Sequence, residues 1–189
     1  MTTLSFLNIC LALHISTKVS SVDCNMLHYQ QNKVNQDSLQ LLEKMGGQFP
    51  VQCINARSNF IALQNAFNFR EIQKESIIVA IQEILQQTFN IFSKIHIPAV
   101  WDRSSIAAFQ NGLHQQIELL KTCFDGEKKM ETTCLQKEEI TRLKVKKYFH
   151  VIYNFLKEKQ YSLCAWEIIR EETRRCFMFI DQLTKRLKN

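Results

Sequence analysis

At 189 residues, with 46% apolar side chains, the chain has material for one domain with a single hydrophobic core and is not of disordered composition. Two prolines and four glycines are few; sheets and their turns consume both, while helix interiors exclude them, so the composition favours an all-α fold. The net charge of +6 suits acidic partners, sulfated glycans among them. Nucleic acid is not expected, because neither basic group (Lys144, Lys146 and Lys147; Arg170, Arg174 and Arg175) belongs to a nucleic-acid-binding motif.

The chain opens on an apolar stretch from Leu4 to Ile15, followed by small residues at Ser20 and Ser21. That pattern predicts a secretory signal peptide over residues 1–21, cleaved before Val22, although no Lys or Arg precedes the apolar stretch. The stretch is too short to span a bilayer and contains Asn8 and His14, so no membrane insertion is expected. Cleavage removes Cys10 and leaves Cys24, Cys53, Cys123, Cys134, Cys164 and Cys176. An even number in an exported chain predicts disulfides, and the long spacings exclude CxxC metal or redox chemistry. Spacing alone does not select a pairing. Residues 22–189 read as one domain.

Five helical segments follow. The first runs from about Met26 to Met45, with Val34, Ser38, Leu41 and Met45 along one stripe, and Gly46 and Gly47 stop it. From Gln48 to about Arg70 no helical period persists. A connection this long lets consecutive helices run in the same sense, as in up-up-down-down cytokine bundles. The second helix, about Ile72 to Lys94, carries Ile77, Ile81, Ile84, Leu85, Thr88 and Phe92 on its buried face. Asp102 or Ser104 caps a third helix that turns Ile106, Phe109, Leu113, Ile117, Leu120 and Phe124 inward. A polar loop is predicted through Gly126 to Lys137. The fourth helix, about Glu138 to Lys159, buries Leu143, Tyr148, Phe149, Ile152, Phe155 and Leu156. The fifth, ending near Leu187, has Trp166, Ile169, Thr173, Cys176, Phe177, Ile180, Leu183 and Leu187 as its inner stripe.

No catalytic constellation emerges. His28, His96, His114 and His150 lie on separate elements, without the i, i+4 partner that a helical metal site requires. There is no GxSxG elbow, phosphate-cradling glycine loop or HExxH. Neither catalysis, a cofactor nor a metal is expected. The chain also lacks an Asn-x-Ser/Thr sequon, so N-glycosylation is not expected.

The most specific string is Tyr161-Ser162-Leu163-Cys164-Ala165-Trp166-Glu167-Ile168-Ile169-Arg170. It resembles the Cys-Ala-Trp-Glu signature that opens the last helix of type I interferons. Arg57 and Phe60 follow Cys53 at that family's spacing, Gln86 to Phe92 resembles its second-helix motif, and Lys147-Tyr148-Phe149 with Tyr153 to Lys159 resembles its fourth helix. Asp23-Cys24-Asn25, Phe49-Pro50-Val51, Asn154 to Lys159 and Arg174-Arg175-Cys176 look most like the kappa branch.

The resemblance implies a five-helix up-up-down-down bundle with a long first crossover loop and two disulfides, Cys24 with Cys123 and Cys53 with Cys164. Cys176 then reads as a buried free thiol and Cys134 as a thiol in a polar loop. The implied function is that of a secreted, monomeric cytokine that bridges two receptor chains and triggers JAK-STAT antiviral and immune signalling. Positions matching the family's contacts with the high-affinity chain are Ile54, Arg57, Arg170, Glu171, Arg174, Arg175 and Phe179, expected on an outward surface. Those for the second chain are Phe89, Asn90, Gln110 and Lys146, of which Phe89 reads equally well as core. Glu171, Arg174 and Gln110 depart from residues common in the family, which implies altered affinity. Two other readings stand beside this one: a helical cytokine acting through another receptor, and a basic binder of glycans or membrane surfaces.

Overall fold

The computed structural model describes residues 26–56, 60, 62–67, 73–93, 96–126 and 132–187, without the side chains of residues 124–126 and 132–134. The expected signal peptide, Cys24, Arg57 and the side chains of Phe124 and Cys134 lie outside the described residues. Within them are five α-helices, two 3-10 turns and no strand. The helices are α1 (Leu27–Gly46), α2 (Lys74–Phe92), α3 (Arg103–Gly126), α4 (Thr132–Glu158) and α5 (Leu163–Arg186). The 3-10 turns, Val51–Ala56 and Leu63–Ala66, both lie in the long connection between α1 and α2.

The pairing of side chains fixes the helix directions. Asp102, at the head of α3, donates its amide to Met45 O at the foot of α1 (2.9 Å), so α1 and α3 are antiparallel. Rings of Phe92 and Phe109 meet edge to face at 5.0 Å, so α2 and α3 are antiparallel as well. Thus α1 and α2 run in the same sense, as the long connection permits. α4 lies along α2, where Arg142 pairs with Glu83 at 3.5 Å. α5 returns antiparallel to both α1 and α4, with Asn35 donating to Phe177 O and Tyr148 to Glu172.

One core joins all five helices and reaches the long connection through Leu63 and Phe67. Trp166, Phe92, Phe109 and Phe177 are its largest fully buried side chains. The predicted inner faces of α2 and α3 are observed inside at every described side chain. In α1 the buried stripe is Gln31, Asn35, Ser38, Leu42 and Met45. It is shifted from the expected one because two amides, poor hydrophobicity signals, occupy the inner positions beside α5.

Two expectations for α4 are corrected. Thr132–Lys137 is not a loop but the first turns of the helix: Leu135 to Glu139 are strong helix formers, of which Gln136, Lys137 and Glu139 face solvent while Glu138 is buried. Leu143, expected inside, is 54% exposed, and Val145 occupies the core instead. Alternation of apolar and basic residues between Ile140 and Lys147 allows both registers, and the packing against α2 and α5 selects one.

Two helix ends are fixed by specific chemistry. Asp102 caps α3, accepting from the Ser105 amide (3.0 Å), from the Ser105 hydroxyl and from the Ser104 hydroxyl (2.7 Å). These bonds, that of the Ser105 hydroxyl foremost, hold its carboxyl at about 2. α1 ends at Gly47, whose φ of +66° is left-handed and whose amide returns to Glu43 O.

Because the Asp102 carboxyl is depressed, its contribution to stability is complete above its ordinary value of about 3.9. It disappears as pH falls through about 2. Asp102→Asn is therefore expected to unfold more easily than the parent at neutral pH, with the difference vanishing toward pH 2 in denaturant titrations. A gap that persists unchanged in acid contradicts this assignment.

Candidate functional site

The Cys-Ala-Trp-Glu string is a structural fastening. Ser162 caps α5, accepting from the Ala165 amide at 3.4 Å. Cys164 forms a disulfide with Cys53, which pins the first 3-10 turn to the first turn of α5. With its cysteines 111 positions apart in sequence, this bridge removes roughly 4–5 kcal/mol of chain entropy from the unfolded state by the loop-closure relation. Ala165 and Trp166 are buried, the indole against Phe92 and Trp101.

Glu167 is buried at 2% exposure, and its two oxygens hold different partners. Oε1 accepts from the Trp101 indole at 2.7 Å, and Oε2 accepts from Arg170 Nε and one terminal nitrogen at 3.0 and 2.7 Å. Arg170 spends its remaining donors on α1, reaching Leu42 O at 2.9 Å and Gly47 O at 3.0 Å. The guanidinium thus caps the carbonyl end of α1.

This geometry corrects two contact expectations. Arg170 is 2% exposed and faces α1, because its donors are needed by the terminal carbonyls there. Phe179 is 3% exposed, its ring 5.6 Å from that of Phe67 under the second 3-10 turn. The long connection covers a side of α5 that was expected to be bare. The residues left outward are Arg174 and Arg175, with Glu171 partly exposed and pairing loosely with Arg174 at 3.9 Å. Met178, at 51% exposure, is the apolar member of this face, missed in the sequence because Phe179 next to it is the larger hydrophobe.

The connection runs along α5 from its head toward its foot. Ile54 is 47% exposed beside the Cys53 bridge, and Phe60 meets Phe155 of α4 at 5.3 Å. Below, Ala62, Leu63 and Gln64 line a cavity of about 140 Å³ with Arg175, Met178 and Phe179. Cys176 lies in its wall, a buried free thiol near the Tyr148 hydroxyl. Burial pushes this thiol up to about 12 and pushes the Tyr148 phenol upward as well. Cys123 is buried and disulfide-bonded, while Cys24 lies outside the described residues.

The other expected face divides in two. Asn90 and Lys146 are exposed and come together with Gln87, Phe149, His150 and Tyr153 around a groove of about 260 Å³ between α2 and α4. Phe89 and Gln110 belong instead to the seam between α2 and α3. Phe89 is half-buried 6.1 Å from the His114 ring, and the Gln110 amide donates to Phe92 O. Among the described residues no cluster of His, Cys, Asp or Glu is arranged to hold a metal ion.

A family profile, described as the interferon alpha/beta domain, matches residues 27–187. The chain belongs to the interferon alpha/beta family. It is a type I interferon-like cytokine and not an enzyme. Interferon epsilon of Sus scrofa is 37% identical over 185 residues, covering 97% of this chain and 94% of the relative. Interferon beta of Tachyglossus aculeatus aculeatus is 35% identical over 188 residues and covers 100% of both. Human interferon kappa, whose likeness the sequence suggested, is 35% identical, with 87% of this chain and 84% of the relative covered. Among solved structures, zebrafish interferon 2 matches with a TM-score of 0.68 at 25% identity, over 80% of this chain and 97% of that one.

Placing Arg170 inside changes what its substitution does. Arg170→Ala leaves Glu167 charged and buried without its partner, a loss of about 3–5 kcal/mol. Thermal melts should show a large fall in Tm, whereas Arg174→Ala should leave Tm nearly unchanged. Equal effects at the two positions contradict the buried pair. Cys176 should resist an alkylating reagent at neutral pH in the native protein and react promptly in denaturant, as followed by mass spectrometry.

Proposed function

We propose that this chain is a secreted antiviral cytokine that brings together the two chains of the type I interferon receptor and so starts JAK-STAT signalling inside the cell. The signal peptide over residues 1–21 directs export, and Cys24 pairs with Cys123 as the second disulfide. Family membership supports the reading. The observation that carries it furthest is the joining of the long connection to α5 through Cys53–Cys164. That bridge lets Ile54, in the first 3-10 turn of the long connection, share one firm surface with the outward residues of α5.

The high-affinity receptor chain meets Ile54, Arg57, Arg174, Arg175 and Met178, with Glu171 tuning the arginines. Apolar Ile54 at the head of α5 and Met178 farther along it, with Arg174 and Arg175 between, suit a receptor surface with apolar contacts and flanking carboxylates. The second chain meets the groove between α2 and α4, through Asn90 and Lys146. Phe89 and Gln110 border that contact from the α3 side. No described helix is long and apolar enough to cross a membrane, which suits release into the extracellular space.

The test is a receptor-dependent reporter in cells of the source species, with purified protein carrying both disulfides. Ile54→Ala with Met178→Ala should weaken binding to the high-affinity chain about tenfold or more, at unchanged Tm. Asn90→Ala with Lys146→Ala should leave that binding intact and lower the response. No response at saturating dose overturns the reading. So does binding that collapses in moderate salt and ignores Ile54 and Met178, the behaviour of a charge-driven glycan binder.

A further inference from the structure

The solvent side of α4 is not accounted for by either receptor face. Ile140, Leu143 and Val151 stand there at 53%, 54% and 52% exposure, large aliphatic side chains on a helix that has a well-filled inner face of its own. Their spacing, with Lys147 between them, places them on one stripe. Lys144 and Lys147 are both exposed beside them, and the Lys144 ammonium lies 5.6 Å from the Phe67 ring centre. From Ile140 to Lys157 the helix carries Arg142, Lys144, Lys146, Lys147 and Lys157 and no Asp or Glu. The acids of its first turns, Glu138 and Glu139, precede the stripe, and Glu158 follows it.

The shape and charge of this face select among occupants. A second copy of the chain pairing through the same stripe would set two runs of lysine and arginine against each other, without acids to offset them. A sulfated glycan would use the lysines and leave three aliphatic side chains in water. The stripe is a convex helix ridge, not a groove, so it suits a flat surface better than an inserted peptide. Basic side chains beside partly buried aliphatic ones are what a helix lying on an anionic lipid interface presents, with the lysine stems extending toward the headgroups.

The geometry points to the outward face of α4 as a peripheral docking surface for anionic membranes. Ile140, Leu143 and Val151 enter the headgroup boundary while Lys144 and Lys147 pair with lipid phosphates and carboxylates. Nothing crosses the bilayer. Each element of the contact is weak, so the association is reversible and holds the cytokine near a cell surface without anchoring it.

Sedimentation of the full-length mature protein with vesicles of phosphatidylcholine, with and without phosphatidylserine, tests this in the absence of any receptor. Binding should require phosphatidylserine. Leu143→Gln with Val151→Gln, which leaves charge untouched and changes only exposed positions, should reduce it about tenfold. Lys144→Gln with Lys147→Gln should reduce it comparably and flatten its salt dependence. Circular dichroism and Tm should match the parent in both variants, which separates lost docking from lost fold. No sedimentation with phosphatidylserine vesicles overturns the inference. So does binding that survives Leu143→Gln with Val151→Gln, which marks a general polyanion site, and so does capture by acidic protein surfaces alone. None of these outcomes bears on receptor signalling, which is read in the cellular assay.

Discussion

A carboxylate buried at the head of α5 is the constraint around which this bundle is arranged. Glu167 is 2% exposed, and an ionised carboxylate in that position is tolerable only with strong donors on both oxygens. Trp101 supplies one and Arg170 the other. Each donor belongs to a different relation: Trp101 sits in the turn between α2 and α3, while Arg170 continues to the carbonyl end of α1. Satisfying one buried charge therefore fixes α5 against two other parts of the chain. Gly46 shows how closely the parts meet, since a β-carbon there would lie 2.5 Å from Arg170 Nε.

The proposed recognition surface is built on this fastening and kept separate from it. Turns of α5 alternate between residues that hold the bundle (Glu167, Arg170, Thr173, Phe177) and residues that face solvent (Arg174, Arg175, Met178). The disulfide joins the two systems, since Cys164 immediately precedes the buried Ala165-Trp166-Glu167 run while Cys53 carries the exposed Ile54 turn. The long connection then follows α5 through Leu63 and Phe67, which is why a helix that looked one-sided has two covered sides.

Much of this was readable from the sequence. The apolar period of α2, α3 and α5 gave their inner faces, and the scarcity of glycine and proline pointed to helices. The misplacements share a physical origin. Arg170 and Phe179 were expected outward because they match the family's positions of contact with the high-affinity receptor chain. Burial of the first depends on unfilled carbonyls of α1, and that of the second on a connection with no period of its own. Neither is encoded near the residue concerned. Leu143 failed for the converse reason: local apolar character placed it inside, and competition with Val145 placed it on the surface. Met178 had no signal beyond its register on the helix. For the contact residues themselves, resemblance indicated positions, while accessibility came only from the packing.

The reach of Arg170 also sets an order of events. Its hydrogen bonds to Leu42 O and Gly47 O join residues 128 and 123 positions apart in the chain. The last carbonyls of α1 have no capping guanidinium until the first two turns of α5 have left the ribosome. Helices such as α1, with amides at Gln31 and Asn35 in the inner stripe, are marginal alone. Closure of the bundle is consequently a late, non-local step, and such steps are slow because the intervening chain must first lose its freedom. Until then the nascent chain exposes the apolar face of α2, which is the surface most in need of protection during that interval.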